Sequence, residues 1–165
     1  MKLLQRDGDR LVFRMSAREK RLLERLLGFY PIQSEATQRL SKGADPRLEE
    51  ADKWLAEARK EQRSELSGWL SRRLCQGAAF VPAGSGWKLV LDGADVERLL
   101  QVLNELRVGS WLKLGRPEDL DFLAPDDEAI ALAPLHGLML LTGEFEMVLI
   151  RAMLDDPEPP SAEGI

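Results

Sequence analysis

The first 28 residues show a strand-like hydrophobic pattern followed by a helical one. Short apolar runs flank Asp7-Gly8, and glycine accepts the positive φ that a tight hairpin turn demands. Ser16, followed three residues later by Glu19, forms a capping-box pattern. Leucines then recur at helical spacing up to Gly28, a typical helix stop. The pattern predicts a β-hairpin that leads into an amphipathic helix.

A longer helical pattern covers residues 47 to about 74. Asp45 and Pro46 before it are typical of an N-cap and a first helical position. If unbroken, this helix would be about 40 Å long at 1.5 Å per residue, which exceeds what a small domain needs. The sequence therefore predicts a break or bend near Ser64 or Gly68.

Two tryptophans of this long helix, Trp54 and Trp69, fall on about the same face. Large apolar side chains on one helix face are covered either by the core or by a second copy of the chain. We expect both tryptophans to belong to the core, with a homodimer surface as the alternative.

The second half of the chain contains one alternating segment and one striped helix. Residues 87–92, WKLVLD, alternate as a strand should. Asp92 or Asp95 is predicted to cap the next helix, whose apolar stripe consists of Val96, Leu99, Leu100, Leu103 and Leu106. We expect Gly109 to interrupt this helix and the segment 115–117, Gly-Arg-Pro, to end it.

A last helix is predicted from about Pro134 to Leu154. It is apolar on nearly every side, so we expect it to be the central helix of the fold. Charged and polar residues interrupt it often enough to argue against a membrane span. The acidic segment 117–128 is predicted to be a solvated loop, and the acidic, proline-rich tail 155–165 is predicted to be disordered.

These elements define an expected fold class. The chain has 165 residues, of which 44% are hydrophobic and 31% charged, the profile of an ordinary globular protein. We predict an α+β, mostly helical single domain over residues 1–154. Its small antiparallel sheet would pair the N-terminal hairpin with the strand near 87–92.

Composition also bears on location and chemistry. The start, MKLLQRDGDRLVF, becomes charged too early for a signal peptide, and a single cysteine allows no internal disulfide, so we expect a cytoplasmic protein. With one histidine and one cysteine, and no phosphate-binding loop, we expect no metal site, no cofactor and no catalytic residues. His136 could act as a general base, but we interpret it as structural, and we expect Cys75 to be buried.

One polar group accompanies the stripe of the helix that follows the strand. Asn104, Arg107 and Trp111 share a side of that helix at spacings of three and four. A buried guanidinium needs a carboxylate, and the last helix offers Glu144 and Glu146, of which we favour Glu144. The group is either a strut between two helices or a binding pocket walled by Trp111. We favour the strut because nothing else in the sequence converges there.

Charge is distributed unevenly along the chain. Residues 1–80 contain 17 Lys and Arg against 12 Asp and Glu, whereas the remainder contains 6 against 16. Residues 64–91 resemble a recognition helix and wing, with Arg72 and Arg73 available for phosphates. Basic and acidic residues are interleaved, however, and the wing itself offers only Lys88. We therefore keep nucleic-acid binding as the alternative.

The segment LLQVLNELRVGSWLKLG resembles a bacterial family catalogued only as a domain of unknown function. Leu103, Asn104, Leu106 and Arg107 match its Leu-Asn-Asp-Leu-Arg motif, with Glu105 in place of the aspartate. The similarity extends over most of residues 1–154 in the order of elements. It implies a small, largely helical cytoplasmic protein, often encoded beside the adaptor of the Clp protease. No activity or site residue is implied.

We therefore expect a non-enzymatic interaction or regulatory protein, with a role accessory to proteolysis implied by the resemblance. Its partner would be a protein, with homodimer formation left open and no membrane involved. Its candidate binding residues are Asn104, Arg107, Trp111 and Glu144.

Overall fold

The computed structural model describes residues 1–32, 46–115 and 127–154. In these residues four strands and four α-helices occur. In chain order they are β1 (Lys2–Asp7), β2 (Arg10–Ser16), α1 (Ala17–Leu27), α2 (Pro46–Leu70), β3 (Phe80–Ala83), β4 (Gly86–Leu91), α3 (Gly93–Lys113) and α4 (Asp127–Leu154). The expectations for Asp45, for most of the acidic segment and for the tail fall outside the described residues.

The strands form one antiparallel sheet in the order β1-β2-β4-β3. The predicted hairpin is confirmed, with Gly8 at its turn in the left-handed region at φ 59°. The predicted pairing with the later strand is also confirmed, from Leu11 opposite Leu91 to Ser16 opposite Gly86. Together with the four helices, this sheet confirms the mostly helical α+β class.

One face of the sheet contributes to the core. Leu11, Phe13 and Met15 alternate along β2 and are buried, and Leu89 and Leu91 do the same on β4. Side chains of a strand point alternately to opposite faces, so these residues all lie on the side that α1 and α3 cover. The period-two pattern of the sequence therefore places the sheet against the helices.

Helix α1 begins with the predicted capping box. The Glu19 backbone N–H donates to Ser16 Oγ at 3.1 Å, and the Ser16 backbone N–H donates to Glu19 Oε2 at 2.7 Å. The helix ends at Leu27, and Gly28 follows as its C-cap. Leu23, Leu26 and Leu27 are its buried side chains.

Replacing Ser16 with alanine is expected to lower the free energy of unfolding by about 1 kcal/mol, because the Glu19 backbone N–H loses its acceptor, the Ser16 hydroxyl. Urea denaturation followed by circular dichroism measures this change. Ser16→Thr keeps the hydroxyl acceptor and should retain most of the stability. Equal losses for the alanine and threonine variants would contradict a role for the hydroxyl.

Helix α2 corrects two expectations. It runs without interruption through Ser64 and Gly68, and the irregularity comes later, as a π-helical segment over Ser71–Cys75. Trp69 is buried, but Trp54 is 70% exposed and does not belong to the core. Helix α2 can be this long because residues 47–65 contain no buried side chain. This part of the helix does not have to fit within the core, and it carries charges at spacings that support a solvated helix.

Helix α3 contributes eight buried residues. Asp92 is its N-cap and accepts from the Asp95 backbone N–H at 2.7 Å. Val102, Leu103 and Leu106 are fully buried. Contrary to expectation, Gly109 is buried and helical, and the helix continues to Lys113. Burial of this turn against neighbouring side chains offsets the roughly 1 kcal/mol by which glycine weakens a helix.

Helix α4 also differs from its prediction. It begins at Asp127, seven residues before Pro134, and the proline lies inside it. Inside a helix a proline removes one backbone hydrogen bond and crowds the carbonyl four residues earlier, a cost of about 3 kcal/mol that the packing of α4 against α3 offsets. The helix is not central, because it packs against α3 with one face, which includes Leu138, Phe145 and Leu149, and exposes the opposite face. None of the described helices has the length and apolar character that a membrane crossing needs.

Candidate protein-interaction surface

The predicted polar group lies where α3 packs against α4. Arg107 Nε donates to Glu146 Oε2 at 2.8 Å, and Arg107 Nη2 donates to Asn104 Oδ1 at 2.9 Å. The acid that pairs with Arg107 is therefore Glu146, not the favoured Glu144. Two residues along a helix differ by about 200° in direction, so one of these glutamates faces α3 while the other, Glu144, is exposed.

The ion pair between Arg107 and Glu146 is asymmetric in its exposure to solvent. The Glu146 side chain is 12% exposed, whereas that of Arg107 is 44% exposed. Burial raises the pKa of Glu146, and the charge and hydrogen bond of Arg107 only partly counteract this rise. Glu146 Oε1 has no hydrogen-bond partner among the described residues. The ion pair therefore joins α3 to α4. The buried Glu146 carboxylate needs the charge of Arg107 to offset the loss of water around it.

The other two predicted site residues lie at different places on the two helices. Trp111 lies four residues beyond Arg107 on α3 and is 37% exposed. Glu144 is exposed on α4, on the side turned away from α3. The structure thus brings Asn104 and Arg107 together and places Glu144 on a different surface.

That different surface is the exposed side of α4, which is largely apolar. Leu140, Met147, Ile150 and Leu154 are 52%, 47%, 42% and 77% exposed, and we call them the α4 stripe. Their spacings of seven, three and four residues keep them on one side of the helix. Sequence reasoning missed the stripe because a helix that is apolar all round was interpreted as buried. The spacing of seven between residues 140, 147 and 154 was the signal that could have found it.

Two exposed charges border the α4 stripe. Glu144 and Arg151 are seven residues apart and lie on the same edge of it. The α4 stripe therefore has one acidic and one basic side chain beside it.

A second buried polar cluster was not predicted at all. Asp95 is 3% exposed and accepts from Trp69 Nε1 at 2.7 Å and from Arg73 Nε at 3.1 Å, with a further contact from Arg73 Nη2. Burial by itself would raise the pKa of Asp95. Hydrogen bonds from Arg73 and Trp69 outweigh that effect, so its pKa lies below the ordinary value. The cluster joins the end of α2 and the π-helical segment to the start of α3.

This cluster also involves the wing-like segment, residues 64–91, because Arg73 belongs to both. The hairpin of β3 and β4 does follow the helix that carries Arg72 and Arg73, as the nucleic-acid alternative requires. Arg73, however, is paired with Asp95, which leaves Arg72 exposed beside it. The exposed side chains of α2 ahead of this segment include the acidic residues Glu57, Glu61 and Glu65. Phosphates would be repelled by such a row.

His136 is partly buried on α4, and Cys75 lies at the end of the π-helical segment. His136 and Glu144 are eight residues apart on one helix, about 12 Å along its axis, beyond hydrogen-bond reach of each other. Cys75 is exposed, contrary to the expected burial, because it ends the π-helical segment where the chain leaves the core. The described residues contain no group of three or more metal-ligating side chains.

An open depression of about 240 Å³ lies between α2 and α3. Its volume is below that of typical small-molecule sites. Its lining is mostly polar and consists of Gln62, Glu65, Leu66, Ala94, Glu97, Arg98 and Gln101.

Comparison of the chain with protein-family models, with curated proteins and with solved structures returned no match.

Proposed function

We propose that this chain is a non-enzymatic interaction protein and that the α4 stripe is its binding surface. The observation that carries the proposal is the exposure of four large apolar side chains on one face of a well-formed helix. Contiguous apolar surface of this kind marks interaction sites, since covering it removes an unfavourable contact with water. Each of these side chains is already partly covered by its own chain. Its further burial under a partner would therefore contribute roughly 1 kcal/mol to the free energy of binding.

A regulatory role accessory to proteolysis is part of this proposal. It is supported by the family resemblance of the segment around Leu103–Arg107, whose members are often encoded beside the Clp protease adaptor. A small helical protein with one apolar binding face could act as such an accessory without any reaction of its own. Its partner would present an amphipathic helix to the stripe.

The test is affinity capture from native lysate with nuclease added, comparing the wild type with Leu140→Gln/Ile150→Gln. Protein partners, including Clp components, should be recovered by the wild type and lost by the stripe variant. Trp54→Gln is the control, because it removes a large apolar side chain, 70% exposed, from a different helix. Recovery of the same partners by all three proteins would contradict the proposal.

Nucleic-acid binding is the second candidate, favoured by the hairpin that follows the Arg72 helix. Under this reading DNA binding should weaken steeply with salt, and Arg72→Ala should reduce the slope of that dependence by about one. A fluorescence-anisotropy titration at several salt concentrations decides this. Binding that does not respond to Arg72→Ala would exclude the wing-like segment as the contact.

A further inference from the structure

The α4 stripe follows the repeat of a two-helix seam. Leu140, Met147 and Leu154 recur every seven residues, and Ile150 lies three residues after Met147. Gly143, three residues after Leu140, is bordered by the Arg107 side chain of α3. Positions spaced alternately by three and four residues form the contact line of paired helices. The strip from 140 to 154 extends about 21 Å along the helix axis at 1.5 Å per residue. A second helix is therefore the occupant whose shape fits this face.

The charges beside the seam restrict which helix that can be. An antiparallel copy of α4 that places Met147 opposite Ile150 makes the two helices overlap from 143 to 154, about 17 Å, and leaves Leu140 beyond the end of the other copy's helix. Leu154 then faces Gly143 beside the Arg107 side chain, whose Cδ lies 3.6 Å from the position that a Cβ of Gly143 would take. Glu144 then lies within about two residues, or about 3 Å along the axis, of the level of the other copy's Arg151. Two-fold symmetry repeats this pair, so that each copy supplies one acid and one base. The surface is therefore complementary to itself in charge.

Other arrangements of the same two helices lack this complementarity. An antiparallel register shifted by one heptad would bring Glu144 of one copy beside Glu144 of the other, which is repulsive. A parallel pair would direct Arg151 toward Glu146, but that glutamate is buried and already bound to Arg107. One register and one orientation are favoured.

We propose that the partner covering the α4 stripe is α4 of a second copy of this chain, packed antiparallel with Glu144 paired to Arg151 across a two-fold axis. This inference rests on the proposed function of the stripe as a binding surface and names its partner. Glu144 and Arg151 are both exposed within the single chain, so changing either should leave folding intact.

The experiment is sedimentation velocity of the purified full chain over a range of concentrations. The wild type is expected to be a dimer. Glu144→Arg and Arg151→Glu should each raise the dimer dissociation constant about tenfold, since each creates two like-charge contacts. Mixing the two variants should restore a dimer that contains one copy of each, because unlike charges then face each other at both sites. The double variant Glu144→Arg/Arg151→Glu should also dimerise.

Three outcomes would overturn the dimer. They are a wild type that remains monomeric, single variants that dimerise like the wild type, and a mixture that stays monomeric. A monomeric wild type whose captured partners are lost in Leu140→Gln/Ile150→Gln would leave the proposed function standing with a different protein as occupant. A monomer whose thermal stability falls in that stripe variant would show that the chain covers its own stripe. Unchanged capture and unchanged oligomeric state in the stripe variant would refute both proposals.

Discussion

Replacement of Asp95 by alanine is expected to lower the free energy of unfolding by about 3 kcal/mol at neutral pH. The carboxylate is buried and accepts from the Trp69 indole and the Arg73 guanidinium, so its loss leaves a buried N–H and a charge without acceptors. The Arg73 side chain is 35% exposed, and water reaching it reduces the loss from the range expected for a fully buried pair.

The pH dependence of this loss follows from the pKa of Asp95, which folding lowers below the ordinary value of 3.8. A carboxyl with a lowered folded pKa stabilises the protein above its unfolded pKa, and this stabilisation is lost as the pH falls through the folded value. The difference between wild type and variant should therefore be full at pH 7 and should decline below about pH 3.8.

Urea denaturation followed by circular dichroism, at neutral and acidic pH, measures both effects. Asp95→Asn keeps an oxygen acceptor for the indole and should lose less stability than the alanine variant. Asp92→Ala removes only the N-cap of the same helix and should cost about 1 kcal/mol. If Asp95→Ala cost no more than Asp92→Ala, the cluster would not be a major support of the fold.

Arg107→Ala is expected to cost about 2 kcal/mol at neutral pH, because it leaves the buried Glu146 carboxylate without its cation. The exposure of the arginine keeps the figure below that of a fully buried pair. Glu146 has a folded pKa raised above 4.5, so its burial destabilises the protein increasingly as the pH rises through that range. Loss of Arg107 raises this pKa further. The loss of stability caused by Arg107→Ala should therefore be greatest at neutral pH. It should be small below pH 4.5, where the Glu146 carboxyl is mostly protonated in both the folded and the unfolded protein.

This variant also separates the strut from the pocket. A strut predicts that Arg107→Ala/Glu146→Gln recovers most of the lost stability, since the uncompensated charge is then gone. Glu144→Gln is the control and should change the free energy of unfolding by less than about 0.5 kcal/mol, because that residue is exposed. A pocket predicts instead that Arg107→Ala loses partner binding while the melting temperature stays the same. An equal loss of stability at pH 4 and pH 7 would refute the ion-pair account.

Local patterns in the sequence predicted much of the architecture. The turn at Gly8, the capping box at Ser16 and the strand over residues 87–92 all depend on interactions within a few residues. Such interactions are present in the sequence as spacing and residue type, so they can be read from it directly. The pairing of β2 with β4 followed from the apolar alternation of both segments.

The candidate site was predicted less well than the fold. The grouping of Asn104 with Arg107 follows from helical spacing, and the structure shows it. The choice between Glu144 and Glu146 depends on which side of α4 faces α3, and a helix that is apolar nearly all round does not reveal that side. The cluster at Asp95 joins residues 22 and 26 positions apart, which no local pattern connects.

The sequence by itself determined the order and type of most elements, because backbone turns, caps and hydrophobic periods are set by neighbouring residues. Only the tertiary structure decided which apolar residues are covered. Trp69 is buried while Trp54 is not, and α4 buries Leu149 while it exposes Met147. Burial depends on the position of a helix relative to its neighbours, and hydrophobicity along the chain carries no record of that position. The α4 stripe, on which the proposed function rests, became visible only when the helices were placed together.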